Sequence, residues 1–236
     1  MTPPVISCIV PVFNGERYLK EALDSIRAQT YRPLEIIVAD DGSTDGTGAI
    51  VAGYGEEVRY LFQPNAGPSS ARNLGLGAAQ GKFVAFLDHD DLWHPEKLAR
   101  QMARFQARPD LVACVTHVRN FWSPELGEEA ARSREHPRFA QAVPGYSTVT
   151  LLARRTLFET VGRFNPALQH GDSTEWFLRA AEHGVVIELL ADVLTYRRLH
   201  QTNRTRRLGA ASREAYLRIV KASLDRQRLH RNHDPR

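Results

Sequence analysis

Apolar runs that end abruptly in polar clusters constrain this chain more than any other feature. Val5–Val12 runs into Phe13-Asn14, Leu34–Ala39 into Asp40-Asp41-Gly42-Ser43, and Phe83–Leu87 into Asp88-His89-Asp90-Asp91. A short unbroken apolar run bounded by turn residues is the pattern of a strand buried on both faces. Helical spacing fills the gaps between them. Tyr18, Leu19, Ala22, Leu23 and Ile26 form one stripe within Gly15–Gln29, a second helical pattern follows Thr44, and a third runs from Pro68 to about Ala79. A strand is expected at Val58–Phe62, an amphipathic helix at Pro95–Gln106 and another strand at Leu111–Val118. Strands alternating with helices predict an α/β fold built on a doubly wound, mostly parallel central sheet. In such sheets ligands bind outside the carboxyl ends of the strands. The polar clusters fall at those ends, so one shared site is expected there.

The second half is less regular. Asn120–Gln141 mixes Pro, Glu, Arg and Ser without periodicity and reads as a long loop. Tyr146–Leu152, a short helix near Arg155–Val161, a helix at Ser173–His183, strands near Val185–Leu190 and Val193–Arg198, and a last helix from about Ala210 to Leu229 follow. With 236 residues, 42% of them apolar, the chain can bury one sizeable core. Residues 1–203 are therefore read as a single domain, with 1–118 and 119–203 as its halves and 204–236 as a tail. From Arg204 onward ten Lys and Arg residues face only Glu214, Asp225 and Asp234. A basic segment seeks phosphates. The tail lacks interleaved aromatics beyond Tyr216, so nucleic acid is not an expected partner. Two readings of the last helix stand: contact with an anionic membrane surface, or packing of Ala215, Ile219 and Ala222 on the core.

No run approaches the roughly 20 apolar residues of a membrane span, and Val5–Phe13 is too short and lacks the basic flank of a leader. Cys8 and Cys114 lie in apolar surroundings that suit reduced, buried thiols. A cytoplasmic location is expected, peripheral at the inner face of the membrane if the tail binds lipid.

Residues i and i+2 of an extended segment share a face, so Asp88 and Asp90 would point together and Asp91 away. Two hard oxygen ligands on one face suit Mg2+ or Mn2+ shared with phosphate oxygens. The plainer alternative is a solvated acidic turn capping the helix that starts at Pro95. Asp40-Asp41-Gly42-Ser43-Thr44 is either a turn with a helix cap or a carboxylate at a strand end that accepts from a base N–H or a ribose hydroxyl. Arg72, one turn into its helix, is a surface charge or a partner for the acidic site or a nucleotide base edge. Gly75-Leu76-Gly77 lacks the third glycine of a dinucleotide fold, and Gly81-Lys82 precedes Phe83 rather than Ser or Thr. Phosphates would then be held mainly through a metal. Asp172, at the head of a helix, is a cap or a metal-free carboxylate able to take a proton from a hydroxyl. His200 is structural or completes a metal shell.

Ile9-Val10-Pro11-Val12-Phe13-Asn14, Ser25–Tyr31, Glu35–Asp45, Gly67–Asn73 and Phe86–Asp91 together resemble family-2 glycosyltransferases of the GT-A fold, in order and spacing across the first hundred residues. The resemblance implies an inverting enzyme that moves a sugar from a nucleoside-diphosphate sugar, with UDP the default base and GDP or dTDP as alternatives, onto a carbohydrate or lipid-linked acceptor hydroxyl. It implies that Pro11, Phe13, Asn14 and Asp41 line the nucleotide site with Arg72 nearby. It assigns Asp88 to the ribose or the metal, and Asp90 to a Mn2+ or Mg2+ ion that His200 also faces. Asp172 matches the general base. Many relatives carry Glu-Asp where this chain has Asp172-Ser173, so Glu175 is the second choice for that role. Two other functions remain open. A phosphotransferase of the haloacid-dehalogenase type also uses Asp-x-Asp after a strand, although it would place Thr or Val at Leu92 and put the motif on the first core strand. A nucleotide-sugar-binding protein without turnover is the other, kept open by Ser173.

Overall fold

The computed structural model describes residues 3–128 and 141–233, and the side chains within them other than those of 204–213 and 229–233. The first half winds β1 (Ile6–Val12), α1 (Leu19–Arg27), β2 (Leu34–Asp40), α2 (Thr47–Ala52), β3 (Val58–Phe62), α3 (Pro68–Ala78) and β4 (Phe83–Phe86). A short β5 (Leu92–Trp93), α4 (Lys97–Ala107) and β6 (Ala113–Trp122) follow. The remainder contributes β7 (Val143–Pro144), β8 (Leu152–Arg154), α5 (Leu157–Thr160), α6 (Asp172–Glu182), β9 (Ile187–Leu199) and α7 (Arg204–His233).

Among the described residues these strands form one nine-stranded sheet in the order β3-β2-β1-β4-β8-β6-β9-β5, with β7 on β6. The pairs β3/β2, β2/β1, β1/β4 and β6/β9 are parallel, and β8, β5 and β7 run against their neighbours. The sheet is thus mostly parallel, as the alternating pattern predicts. β1 is fully buried: Cys8, Val10 and Val12 pack with Leu19, Leu23 and Ile26 of α1 and Leu98 and Met102 of α4. Ile9 faces the opposite layer, with Leu76 of α3 and Trp176 and Phe177 of α6. Period-2 alternation in β1 therefore feeds two cores, one on each face of the sheet. α3 lies close on β1 because Gly75 leaves room: a Cβ there would meet Ile9 Cγ2 at 2.4 Å.

The helix expected over Gly15–Gln29 begins only at Leu19, and the one after Thr44 at Thr47. β6 runs on to Trp122, four residues past its expected end. The paired strands expected near Val185–Leu190 and Val193–Arg198 are one strand; its pairing to β6 skips Ala191-Asp192, where Thr116 opposes Leu190 and His117 opposes Val193. Of the loop expected at Asn120–Gln141, residues 129–140 lie outside the described residues. Among the described residues no helix is long and apolar enough to cross a membrane. α7 packs on α6 through Ile219 and Ser223, and Arg226 clasps Glu182 at 2.8 and 2.9 Å. Tyr216, Leu217 and Leu224 remain exposed.

One feature of the core has no counterpart in the sequence pattern. Lys97 of α4 is wholly buried, its Nζ donating to Gln101 Oε1 at 2.9 Å and lying 4.2 Å from the Trp93 ring centre. Burial pushes its pKa down from 10.5 to about 7. Between those values the unfolded chain binds a proton that the native chain lacks, so stability rises with pH, by about 1.4 kcal/mol per unit. The buried thiols of Cys8 and Cys114, pushed up from 9.0 to about 12 by burial, act in the opposite sense above pH 9. Urea unfolding of wild type and Lys97→Met at pH 7 and pH 9 should therefore show wild type gaining about 2 kcal/mol on the variant. Parallel pH dependence in the two proteins would refute a neutral buried amine.

Candidate active site

β1 lies between β2 and β4, so the polar ends of three adjacent parallel strands converge. Backbone bonds align them: Asp41 N–H donates to Val12 O at 2.8 Å and Leu87 N–H to Ile9 O at 3.0 Å. Pro11 is buried in β1, while Phe13 beyond it is 46% exposed. Asn14 takes a positive φ of 51°; its N–H donates to Ser43 Oγ at 2.8 Å and its Oδ1 accepts from Thr44 N–H at 2.9 Å. The turn after β1 is thereby tied to the turn after β2. Asp41 is buried and its carboxylate accepts from Gln63 Nε2 (2.6 Å), Ala66 N–H (2.9 Å) and Gly67 N–H (2.8 Å). It anchors the loop that opens α3. Asp40 does a similar task, accepting from Ser43 N–H and from the Tyr60 hydroxyl.

The acidic segment is arranged differently from the extended geometry expected of it. It turns, with Asp91 N–H donating to Asp88 O at 3.0 Å. Asp88, Asp90 and Asp91 thus converge, each offering a carboxylate oxygen, all within 4.8 Å of one another. Asp91 is not turned away, and α4 has no side-chain cap; Asp91 Oδ1 instead accepts from Arg198 N–H at 2.9 Å, pinning the end of β9 to the site. Burial and the charges of Asp90 and Asp88 push the Asp91 pKa well up. Asp90 moves the other way, to about 2: burial opposes its charge, but the His200 hydrogen bond and the nearby His89 and His200 outweigh it.

His200 Nε2 lies 2.9 Å from Asp90 Oδ2, and its Nδ1 2.8 Å from Thr202 Oγ1. The expected metal pair is therefore in contact. A gap of about 3 Å is also that between neighbouring ligands of an octahedral cation with bonds near 2.1 Å. Clustered hard oxygens, one held ionised and one raised by its neighbours, fit a divalent cation.

Arg72 joins this cluster to the other half of the chain. Arg72 is 6% exposed; its NH2 donates to Asp88 Oδ1 at 2.8 Å and its NH1 to Asp172 Oδ2 at 2.5 Å. Burial alone would lower its pKa, but the two carboxylates raise it. Asp172, 4% exposed, opens α6 directly after Gly171 (φ 73°). Ser173 Oγ accepts from Thr148 N–H at 3.0 Å. Glu175, one turn on, accepts from Arg179 Nε at 2.7 Å through Oε1, and its buried Oε2 has no partner among the described residues.

Several contributors escaped the sequence reading. Arg198 donates from Nε to Asp90 O at 3.0 Å and from NH2 to Glu21 Oε2 at 2.7 Å. Asn203 donates to Asp90 Oδ2 at 3.3 Å and accepts from His200 N–H at 2.6 Å. The Tyr18 ring packs against His200 at a tilt of 52°, with ring centres 4.8 Å apart. The Tyr196–Asn203 run carried the signal, but only the fold brings it to Asp90.

A mostly parallel sheet with acidic strand ends and a carboxylate at a facing helix is the arrangement of the GT-A type of α/β fold. The model of glycosyl transferase family 2 matches residues 7–162, and the chain belongs to that family. It is 32% identical over 215 residues to an uncharacterized glycosyltransferase of Rickettsia typhi, covering 86% of this chain and 66% of that one. A similar relative from Nostoc sp. is 31% identical over 225 residues, 89% and 69% of the two chains. Among solved structures, S. aureus TarS 1-349 in complex with UDP-GlcNAc superposes with TM-score 0.68 at 23% identity over 85% of this chain and 60% of that one. The Pyrobaculum calidifontis mannosyltransferase PcManGT with GDP-Man and Mn2+ gives 0.63 at 26%, covering 86% and 59%. The chain thus spans about two thirds or less of the lengths of most of these proteins. Family membership sets aside the haloacid-dehalogenase alternative.

Proposed function

We propose that the protein transfers a sugar from a nucleoside-diphosphate sugar to an acceptor hydroxyl with inversion, donor and cation lying at the ends of β1, β2 and β4. The observation that supports this most is the Arg72 fork, which holds Asp172 of α6 within one guanidinium of Asp88 in the acidic turn. A base and a leaving-group site that close can address the two ends of one displacement.

Pro11, Phe13, Asn14 and Asp41 would frame the nucleoside, with Asp88 on its ribose side. Asp90 and His200 would hold the divalent cation, Asp88 and Asp91 being near enough to share it. The cation, when bound, offsets charge on the departing diphosphate. Asp172 accepts the acceptor hydroxyl proton as the oxygen attacks the anomeric carbon; the bond to the diphosphate breaks and its electron pair leaves with the phosphate oxygen. Arg72 holds the Asp172 carboxylate in place until the proton arrives. Base and metal ligands sit on separate segments because a cation-bound carboxylate is a weak base.

Calorimetric titration with UDP-GlcNAc, UDP-glucose, GDP-mannose and a dTDP-sugar, with and without Mn2+, tests the reading. One donor should bind, at least tenfold more tightly with Mn2+, and Asp90→Asn should erase that metal dependence. Indifference to all four donors under both conditions would reject it.

A further inference from the structure

A cavity of about 470 Å3 opens between the loop before α6 and the outer helix α7, apart from the acidic turn. Its size falls within the roughly 300–1,000 Å3 of small-molecule sites. Leu168, Ala215 and Ile219 line it with apolar surface, and Gln169, His170 and Glu175 supply polar groups. Its wall leans on the helix that carries Arg72. Ser69 Oγ of α3 donates to Leu168 O at 3.4 Å, and the Gln169 amide lies 3.1 Å from where a Cβ on Gly67 would be.

Glu175 is the telling residue. A buried carboxylate normally has both oxygens satisfied, because an unpartnered one forfeits its hydration. Arg179 satisfies Oε1, and Oε2 has no partner among the described residues. Arg226 is near enough for its charge to feel Glu175, yet both its Nε and NH2 are committed to Glu182, at 2.8 and 2.9 Å. Supplying Oε2 from Arg226 would break that two-point pair. A donor entering the cavity from outside the chain would leave that pair intact.

We infer that this cavity is the subsite for a saccharide acceptor, with a sugar hydroxyl donating to Glu175 Oε2 and the C–H face of a pyranose ring lying on Leu168, Ala215 and Ile219. A sugar ring has this dual character, apolar on its faces and rich in hydroxyl donors at its edge. Glu175 is one helical turn from Asp172, so a saccharide seated here extends toward the proposed base. Glu175 is then an acceptor-positioning residue rather than the base. This rests on the transferase reading above.

Saturation-transfer NMR with methyl glycosides of glucose, galactose, mannose and N-acetylglucosamine, and with maltose, lactose and cellobiose, tests it on the full chain with and without UDP and Mg2+. Ala222→Trp, a substitution on an outer α7 position lining the cavity, blocks the space, and Glu175→Gln removes the carboxylate. At least one saccharide should bind wild type and lose tenfold or more in affinity in both variants, with nucleotide-sugar affinity within twofold of wild type. Equal saccharide binding by all three proteins, or binding by none, overturns the subsite while leaving the transferase reading intact. Failure of wild type to bind any nucleotide sugar defeats that reading instead, and is scored separately.

Discussion

Asp172→Asn is expected to lower kcat for sugar transfer by about 10²–10⁴-fold while leaving donor affinity near that of wild type. Asparagine keeps an oxygen that can accept from Arg72 NH1, now 2.5 Å from Asp172 Oδ2, so the local arrangement survives the change. What disappears is the site for the proton. Glu175→Gln makes the informative comparison, because Glu175 sits one turn further along α6 and is already tied to Arg179 at 2.7 Å. Its loss should raise the acceptor KM far more than it lowers kcat. Single-turnover transfer and donor titration on both variants separate the effects. A normal kcat in Asp172→Asn together with a collapse in Glu175→Gln would move the base to Glu175.

Much of the fold was legible because the first half obeys local rules. β3 matches its expected bounds, and α3 starts at Pro68 as Gly67 and Pro68 mark it and ends within one residue of its expected end. The second half departs where tertiary pairing overrides local pattern. Arg119 and Asn120 look like loop residues, yet β9 recruits them into β6 by parallel pairing with Tyr196 and Arg197. Ala191-Asp192 looks like a break, yet a pairing irregularity absorbs it within one strand.

The site divides along the same line. The acidic cluster and Arg72 stand out in the sequence because each follows a strand or opens a helix. The role of Asp91 was hidden: the i, i+2 argument holds only for extended chain, and this segment turns. Nor could spacing reveal that Asp91 meets Arg198 across 107 positions, or Arg72 meets Asp172 across 100. Such pairs are set by which strands become neighbours, and that is a property of the whole sheet. Lys97 was hidden for another reason. Nothing in an amphipathic helix pattern tells a lysine that snorkels to solvent from one enclosed against Trp93.

Arg72→Met is expected to cost about 3–5 kcal/mol of stability, the range for breaking a buried ion pair by removing one partner. The loss falls mainly on Asp172, which at 4% exposure has little water to replace the guanidinium. Asp88 contributes less; its side chain is 36% exposed and water can replace the guanidinium. A second substitution follows from the sign of this argument. Asp172→Asn removes the buried charge that has lost Arg72, so the double variant should be more stable than Arg72→Met alone, although Asp172→Asn by itself destabilises. Urea unfolding of the four proteins supplies the cycle, and a double variant no more stable than Arg72→Met would refute the pairing as the source of the loss. Arg72→Lys should fall between, because an ammonium is a point donor and cannot span carboxylates from two segments at 2.5 and 2.8 Å as the planar fork does. In that variant one carboxylate loses its partner. If the lysine chooses Asp88, stability falls nearly as far as with methionine; if it chooses Asp172, most stability returns while the link from base to acidic turn is cut, and transfer falls with the fold intact.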